Sequence, residues 1–357
     1  MGDYRLLDRL LHRAALQVGP IAELSFDLDQ RSARIAPDGV AQGRHVFVSG
    51  LARAGTTILM RRIHASGQFR SLTYRDMPFV LAPNLWGRLA GGSSAPGEAK
   101  ERAHGDRIRV DADSPESLDE VFWRIFDGSY IASDHLSPHD PDDATLDRYV
   151  RYVAAILASG RRQRYLSKNN NAILRLPALR RAFPKAVILV PFRDPLTHAA
   201  SLQRQHGNFL ARQDSDRFVR AYMRWLGHHE FGRDHRPFRF DAEGATRLAP
   251  HRPDGIGYWL EIWRQTYGWL ERTAPADAVF VCYESLCRDP AVWAGLAALC
   301  AIDPGPTTEE PFSPSKLEPD DTAPPDLLAE ARALYDRLAD RAARALPPVR
   351  DASRSAI

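Results

Sequence analysis

The sequence predicts an α/β fold in three layers, with a mostly parallel central sheet between two layers of helices. Three observations carry this. Short apolar runs at 45–49, 186–191 and 278–283 have strand length, and each leads into a segment with helical spacing. Strands that alternate with helices form crossover units, which pair in parallel and cover both faces of the sheet. A chain of 357 residues, 44% of them hydrophobic, is long enough to bury one large core of this kind.

The elements follow in order. Leu6, Leu7, Leu10, Leu11, Ala14 and Ala15 recur at helical spacing over 4–17. They make an amphipathic helix suited to packing on the body or on a second subunit, so a homodimer is one expected arrangement. Residues 19–43 read as irregular, which makes 1–43 a lead-in. A core strand at 45–49 is followed by a glycine loop and a helix over 56–66, with Gly67 as its stop. A second short strand is expected near 71–74. Residues 91–117 are polar and rich in Gly, Ser and charge, and read as a mobile loop or lid. Helices are expected at 115–127 and 144–159, a strand end at Tyr165–Lys168, and a helix at 172–182. The strand at 186–191 leads to helices at 195–206 and 214–230. Residues 231–255, rich in Arg, Asp, Pro and Gly, read as a surface insertion. An aromatic-rich helix at 257–273, the last strand at 278–283 and a helix at 291–301 complete an α/β domain over 44–303. A Pro-rich connector at 304–325 and a charged helix at 326–346 make up most of the remainder, 304–357.

Composition narrows the function. A formal charge of +3 is too small to imply a nucleic-acid partner. The basic residues are almost all arginine, the lysines being Lys100, Lys168, Lys185 and Lys316, a bias that suits a GC-rich bacterial genome. Cys282, Cys287 and Cys300 are odd in number and lack metal-ligand spacing, so they read as thiols of a reducing compartment. Charges at Asp3, Arg5, Asp8 and Arg9 break up any signal-peptide core, and no run reaches the length of a membrane span. A cytoplasmic protein is the expectation.

The segment His45–Thr57 is the most informative. It reads as strand, glycine loop and helix start, where backbone N–H groups converge on a place for a phosphate. The spacing nearly completes G-x-x-x-x-G-K-[ST]: Gly50, Gly55 and Thr57 fit, and Thr56 stands where lysine belongs. The fold is therefore of the P-loop-containing nucleotide hydrolase type. Without the lysine that neutralises the β/γ-phosphates, a kinase or ATPase is disfavoured. A cation occurs three residues earlier, at Arg53.

Two further segments follow in order: Ser167–Asn171 through Arg193-Asp194-Pro195 with Ser201 eight residues after the arginine, and Val281–Leu286 with Asp289-Pro290. Together with the loop, over 44–303, they resemble the sulfotransferases that use 3′-phosphoadenosine 5′-phosphosulfate (PAPS). The resemblance implies that Gly50, Arg53, Ala54, Gly55, Thr56 and Thr57 hold the 5′-phosphosulfate, and that Arg193 and Ser201 hold the 3′-phosphate. It implies a PAPS co-substrate, no metal, and a small-molecule or glycan acceptor. Physical chemistry agrees. Arg193 follows a core strand, at the carboxyl edge where doubly wound sheets bind ligands, and guanidinium and hydroxyl together grip a phosphate. The family usually has Pro-Arg-Ser-Gly-Thr-Thr or Pro-Lys-Ser-Gly-Thr-Thr, whereas this chain has Ala52-Arg53-Ala54-Gly55-Thr56-Thr57. Losing the proline should loosen the loop, and losing the serine removes one donor.

Sulfuryl transfer depends on positioning and on stabilising charge at the bridging oxygen. Arg53 is placed to act there as a fixed charge. The base is expected at Asp76, in the neighbourhood where relatives carry a Glu. Its ordinary pKa of about 3.9 is low for that task. His104, in the polar loop, is the alternative base. Lys168, at a strand end on the same edge, is expected to touch the sulfonate or the acceptor. His228, His229 and Glu230 adjoin rather than share a helix face, so they read as a solvated helix end, not a metal site. Glu284 is expected to fix a loop by hydrogen bonding. A catalytically silent nucleotide- or partner-binding relative, and a phosphotransferase with a degenerate loop, are the rival readings.

Overall fold

The computed structural model describes residues 6–33, 37, 39–90, 100–101, 109–110, 118–160, 162–303, 311–314 and 322–346. The strands in chain order are β1 (Val46–Val48), β2 (Phe69–Arg70), β3 (Lys100–Glu101), β4 (Arg109–Val110), β5 (Arg164–Lys168), β6 (Val187–Phe192) and β7 (Val279–Cys282). Five of them make a parallel sheet in the order β2-β5-β1-β6-β7, and β3 and β4 form a separate antiparallel pair. The expected α/β architecture is present, with β1 in the middle of the sheet.

Side chains alternate across a strand, so a sheet covered on both faces needs apolar residues at every position. Val46, Val48, Leu166, Leu189, Val279 and Val281 pack on one face with Leu59, Met60 and Ile63 of the helix Thr56–His64. Phe47, Tyr165, Ile188, Val190 and Phe280 pack on the other face, in the larger cluster that holds Trp259, Trp263 and Tyr267 of the helix Ile256–Thr273. Both tryptophans are core residues.

Several elements differ from expectation. Residues 19–33 are helical (Gly19–Ala33), packing through Ala22 and Phe26. The strand expected at 71–74 lies at Phe69–Arg70, and Tyr74–Asp76 is a 3-10 turn. The helix expected at 172–182 is a 3-10 turn, Asn170–Leu174, followed by Leu176–Ala182. The helix expected at 291–301 is preceded by a separate short one, Tyr283–Arg288. The segment 231–255 contains the helix Ala242–Leu248, and its Phe231 and Phe238 are buried. Most of 91–117 and of 304–325 lies outside the described residues. No helix among the described residues is long and apolar enough to cross a membrane.

His45 ties the sheet together. Its Nε2 donates to the Val40 carbonyl at 2.7 Å, and its Nδ1 accepts from the Tyr165 N–H at 2.9 Å. A ring that accepts at Nδ1 must be neutral. Burial lowers His45 to about 4 from an ordinary 6.5. Burial likewise lowers His139 and His235 to about 4 and His198 to about 3. Between pH 6.5 and 4 the unfolded chain therefore binds more protons than the folded one. The stabilisation is complete above pH 6.5 and is lost as pH falls towards the folded-state values. Thermal melts should show a midpoint that drops from pH 7.5 to pH 5 (about the span of the histidine titration), with a shallower drop in His45→Gln.

Candidate active site

Val48 stands level with Lys168 of β5 and Leu189 of β6, so a loop leaving β1 emerges between two other strands. Ser49 anchors that exit. Its N–H donates to the Leu189 carbonyl and its hydroxyl to the Asn169 carbonyl, each at 2.9 Å. At Gly50 a Cβ would lie 2.6 Å from the Pro191 carbonyl oxygen, so glycine is what lets the loop press against β6. Arg53 adopts φ 70°, a left-handed conformation that costs a non-glycine residue about 1–2 kcal/mol. Gly55 has φ 87°, and a Cβ there would meet the Tyr283 ring at 2.4 Å. Gly55 is also the N-cap of Thr56–His64 and supplies no side chain to it. The positive end of that helix therefore has no side-chain cap from its N-cap residue.

The segment after β6 closes on this loop. Asp194 caps the helix Pro195–Ser215, its Oδ1 accepting from Thr197 N–H at 2.8 Å. Three bonds join the two segments. Arg193 Nη1 donates to the Arg53 carbonyl at 3.1 Å, Arg53 Nε to Ser201 Oγ at 3.2 Å, and His198 Nε2 to the Ala52 carbonyl at 2.8 Å. The Arg193 guanidinium lies over the Tyr283 ring, 5.1 Å from its centroid. Its Nε is 4.0 Å from Glu284 Oε1, which accepts from the Asp194 N–H at 3.1 Å. Arg193 is 8% exposed, and its Nε has no hydrogen-bond partner among the described residues. A buried guanidinium N–H of this kind suits an anionic ligand.

The structure thus brings together Gly50, Arg53, Ala54, Gly55, Thr56, Thr57, Arg193 and Ser201. Lys168 ends β5 on the same edge and is buried. Asp76 is placed differently. Its Oδ1 takes Arg70 Nη2 at 2.6 Å, and its Oδ2 takes the Thr73 N–H at 2.7 Å and Thr73 Oγ1 at 3.2 Å. It closes a capping box at the β2 side of the sheet, with Arg70 as a counter-ion. His104 lies outside the described residues. His228, His229 and Glu230 follow a helix that ends at Trp225, and they are largely enclosed: His229 is 2% exposed. No cluster of three metal-ligating residues occurs among the described residues.

Sequence reasoning missed the polar platform beneath β5. The Arg175–Glu120 ion pair is fully buried, at 2.9 Å. Glu120 also accepts from the Tyr130 hydroxyl and from Asn169 Nδ2, the latter at 2.7 Å. Burial pushes the Glu120 carboxyl up, but the Arg175 charge and hydrogen bonds outweigh it and hold the group below its ordinary value. Asp119, bonded to Ser167 Oγ at 2.6 Å, is raised, mainly by burial. Two adjacent acids ahead of Val121-Phe122-Trp123 were the available signal.

With this geometry in place, comparison with known proteins is informative. The model of the sulfotransferase family matches residues 45–240. No curated protein matches the chain significantly. Among solved structures, sulfotransferase STF1 from Mycobacterium tuberculosis H37Rv is similar at 16% identity and a TM-score of 0.48, covering 94% of this chain and 86% of its own. Sulfotransferase STF9 from Mycobacterium avium is similar at 15% identity and 0.43, covering 94% and 79%. A sulfotransferase from Alicyclobacillus acidocaldarius stands at 16% and 0.37, covering 85% and 95%. With TM-scores below 0.5, these likenesses carry no further weight, and the assignment rests on the family match.

The platform makes its own prediction. Arg175→Met leaves Glu120 buried without a counter-ion and should cost about 3–5 kcal/mol in denaturant unfolding. Adding Glu120→Leu to that variant should recover part of the loss, because the desolvated charge is then gone.

Proposed function

Because this chain belongs to the sulfotransferase family, we propose that it moves a sulfuryl group from PAPS to a hydroxyl or amine of a small-molecule or glycan acceptor. The observation that carries the reading is the 3.2 Å bond from Arg53 Nε to Ser201 Oγ. It joins the loop suited to the 5′-phosphosulfate to the helix suited to the 3′-phosphate. The residues present fit such a ligand. Gly50 and Gly55 let the loop pack directly on the Pro191 carbonyl and the Tyr283 ring, and the buried Arg193 Nε has no hydrogen-bond acceptor among the described residues.

In this reading the main-chain amides of Ala54–Thr57 hold the phosphosulfate, and Arg193 and Ser201 hold the 3′-phosphate. Arg53 places a permanent positive charge where negative charge builds on the bridging oxygen. Lys168 adds a second charge from β5. Three cations on one edge do for a sulfuryl group, less charged than a phosphoryl, what a metal does in phosphoryl transfer. The free thiols of Cys282, Cys287 and Cys300 suit a reducing cytoplasm.

Calorimetry with 3′-phosphoadenosine 5′-phosphate (PAP) tests the donor pocket. The folded wild type should release binding heat, and absence of heat would overturn the reading. Arg193→Ala and Ser201→Ala should each weaken PAP by about 10- to 100-fold, as expected for hydrogen bonds to a charged group. Arg53→Ala should abolish transfer of radiolabelled sulfate to a hydroxyl and amine panel while keeping most of the PAP affinity.

A further inference from the structure

The donor site leaves open what keeps the Arg193 guanidinium available. Arg193 leaves β6 directly after Phe192, and its Nε has no hydrogen-bond partner among the described residues. A carboxylate is nevertheless close, with Glu284 Oε1 4.0 Å from that Nε. Guanidinium and carboxylate groups this near normally close into bonds of about 2.7–2.9 Å. Here both carboxylate oxygens are already occupied. Oε1 accepts the Asp194 N–H at 3.1 Å. Oε2 accepts the Tyr335 hydroxyl at 3.1 Å, and the Cys282 thiol lies 3.6 Å from the same oxygen and 3.3 Å from the hydroxyl. Tyr335 belongs to the helix Pro325–Ala345, whose Leu334 and Leu338 are buried in the larger core cluster. Its ring packs edge-on against Phe192, the centroids 5.6 Å apart. One side chain of the C-terminal helix thus touches both the residue before Arg193 and the acid beside it.

We propose that Tyr335 is a positioning residue for the donor site: its hydroxyl holds Glu284 back from Arg193, so that the guanidinium stays available to the 3′-phosphate. The inference rests on the PAPS reading above. Burial, then the Cys282 thiol and the Glu284 charge, push the ionisation of Tyr335 up, so the hydroxyl keeps its proton and donates it. A thiol is only a weak donor. Without the phenol, Oε2 is short of a donor, and the Arg193 Nε–H is the one at hand. A shift of about 1 Å closes that gap to a charge-assisted bond. The Glu284 charge then competes directly with the phosphate. The C-terminal helix brings neither a ligand contact nor a charge to the site; it decides which partner Glu284 takes.

The test is PAP calorimetry on the full chain and three variants, each checked for folding by thermal melt. Tyr335→Phe keeps the ring on Phe192 and removes the hydroxyl alone. It should weaken PAP by about 10-fold, the size of one hydrogen bond to a charged group. Glu284→Gln keeps an oxygen for the Asp194 N–H but carries no charge, and should tighten PAP by about 2- to 5-fold, the size of a partly exposed ion pair. Adding Glu284→Gln to Tyr335→Phe should bring the affinity back to that of Glu284→Gln alone, because no carboxylate is left to capture Arg193. A merely structural role gives the opposite pattern, two weakened variants and a double variant weaker than either.

Wild-type affinity in Tyr335→Phe, or a loss there that Glu284→Gln does not relieve, overturns the proposal. If Tyr335→Phe does not fold, Glu284→Gln decides alone: tighter PAP supports the proposal, and PAP no tighter than in the wild type overturns it. No PAP heat from the wild type overturns the donor reading and this one with it. Wild-type heat together with an unrelieved loss in Tyr335→Phe overturns this one alone.

Discussion

The site depends on one joint, where the loop after β1 is bonded to the strand-to-helix turn after β6. Arg193 reaches the Arg53 carbonyl, Arg53 reaches Ser201, and His198 reaches the Ala52 carbonyl. Parallel pairing is what makes the joint available. β1 and β6 are neighbours pointing the same way, so their carboxyl ends open on the same edge although 140 residues separate Arg53 from Arg193. The joint also holds Arg53 in a left-handed conformation it would not choose alone, with strain stored where surrounding bonds over-determine it.

Around the joint, charge is distributed asymmetrically. Arg53 and Arg193 lie at the joint, Lys168 ends β5 on the same edge, and two acids stand nearby. Glu284 holds the Asp194 amide beside Arg193, and Glu120 holds Asn169 from below with Arg175 as its counter-ion. A cation cluster at low dielectric attracts an anion strongly only if neighbouring carboxylates do not neutralise it. Glu120 is neutralised by its own Arg175, whereas Glu284 stays 4.0 Å from Arg193 Nε while it accepts the Asp194 amide.

The parts of this arrangement that were legible in sequence are those encoded locally. Gly50 and Gly55 mark the loop by their spacing, and Arg193 and Ser201 lie two helical turns apart. Strands longer than two residues, with apolar residues on both faces, were equally plain. What failed was short or non-local. β2 has two residues, too few to show a period, and it was placed two positions late. The helix Gly19–Ala33 opens on Gly-Pro, which reads as a break although Pro is well tolerated in a first turn. The partner of Glu230 is 60 residues away, so a run of His-His-Glu after a helix carried no sign of its burial.

The departures at Ala52 and Ala54 follow from the same joint. Without proline at 52 the loop was expected to be looser, yet its backbone is fixed by other means. The Ala52 carbonyl is bound by His198, and the Ala54 N–H donates to the Leu51 carbonyl at 3.2 Å. Ala54 is itself 0% exposed. A serine hydroxyl there would be buried and in need of a partner, at a cost of about 1–3 kcal/mol if it found none. Stiffness that proline supplies through its ring is here supplied by a buried histidine, and that histidine stays neutral because burial and Arg193 both disfavour its charge. Protonating it would turn a ring beside two arginines into a third cation.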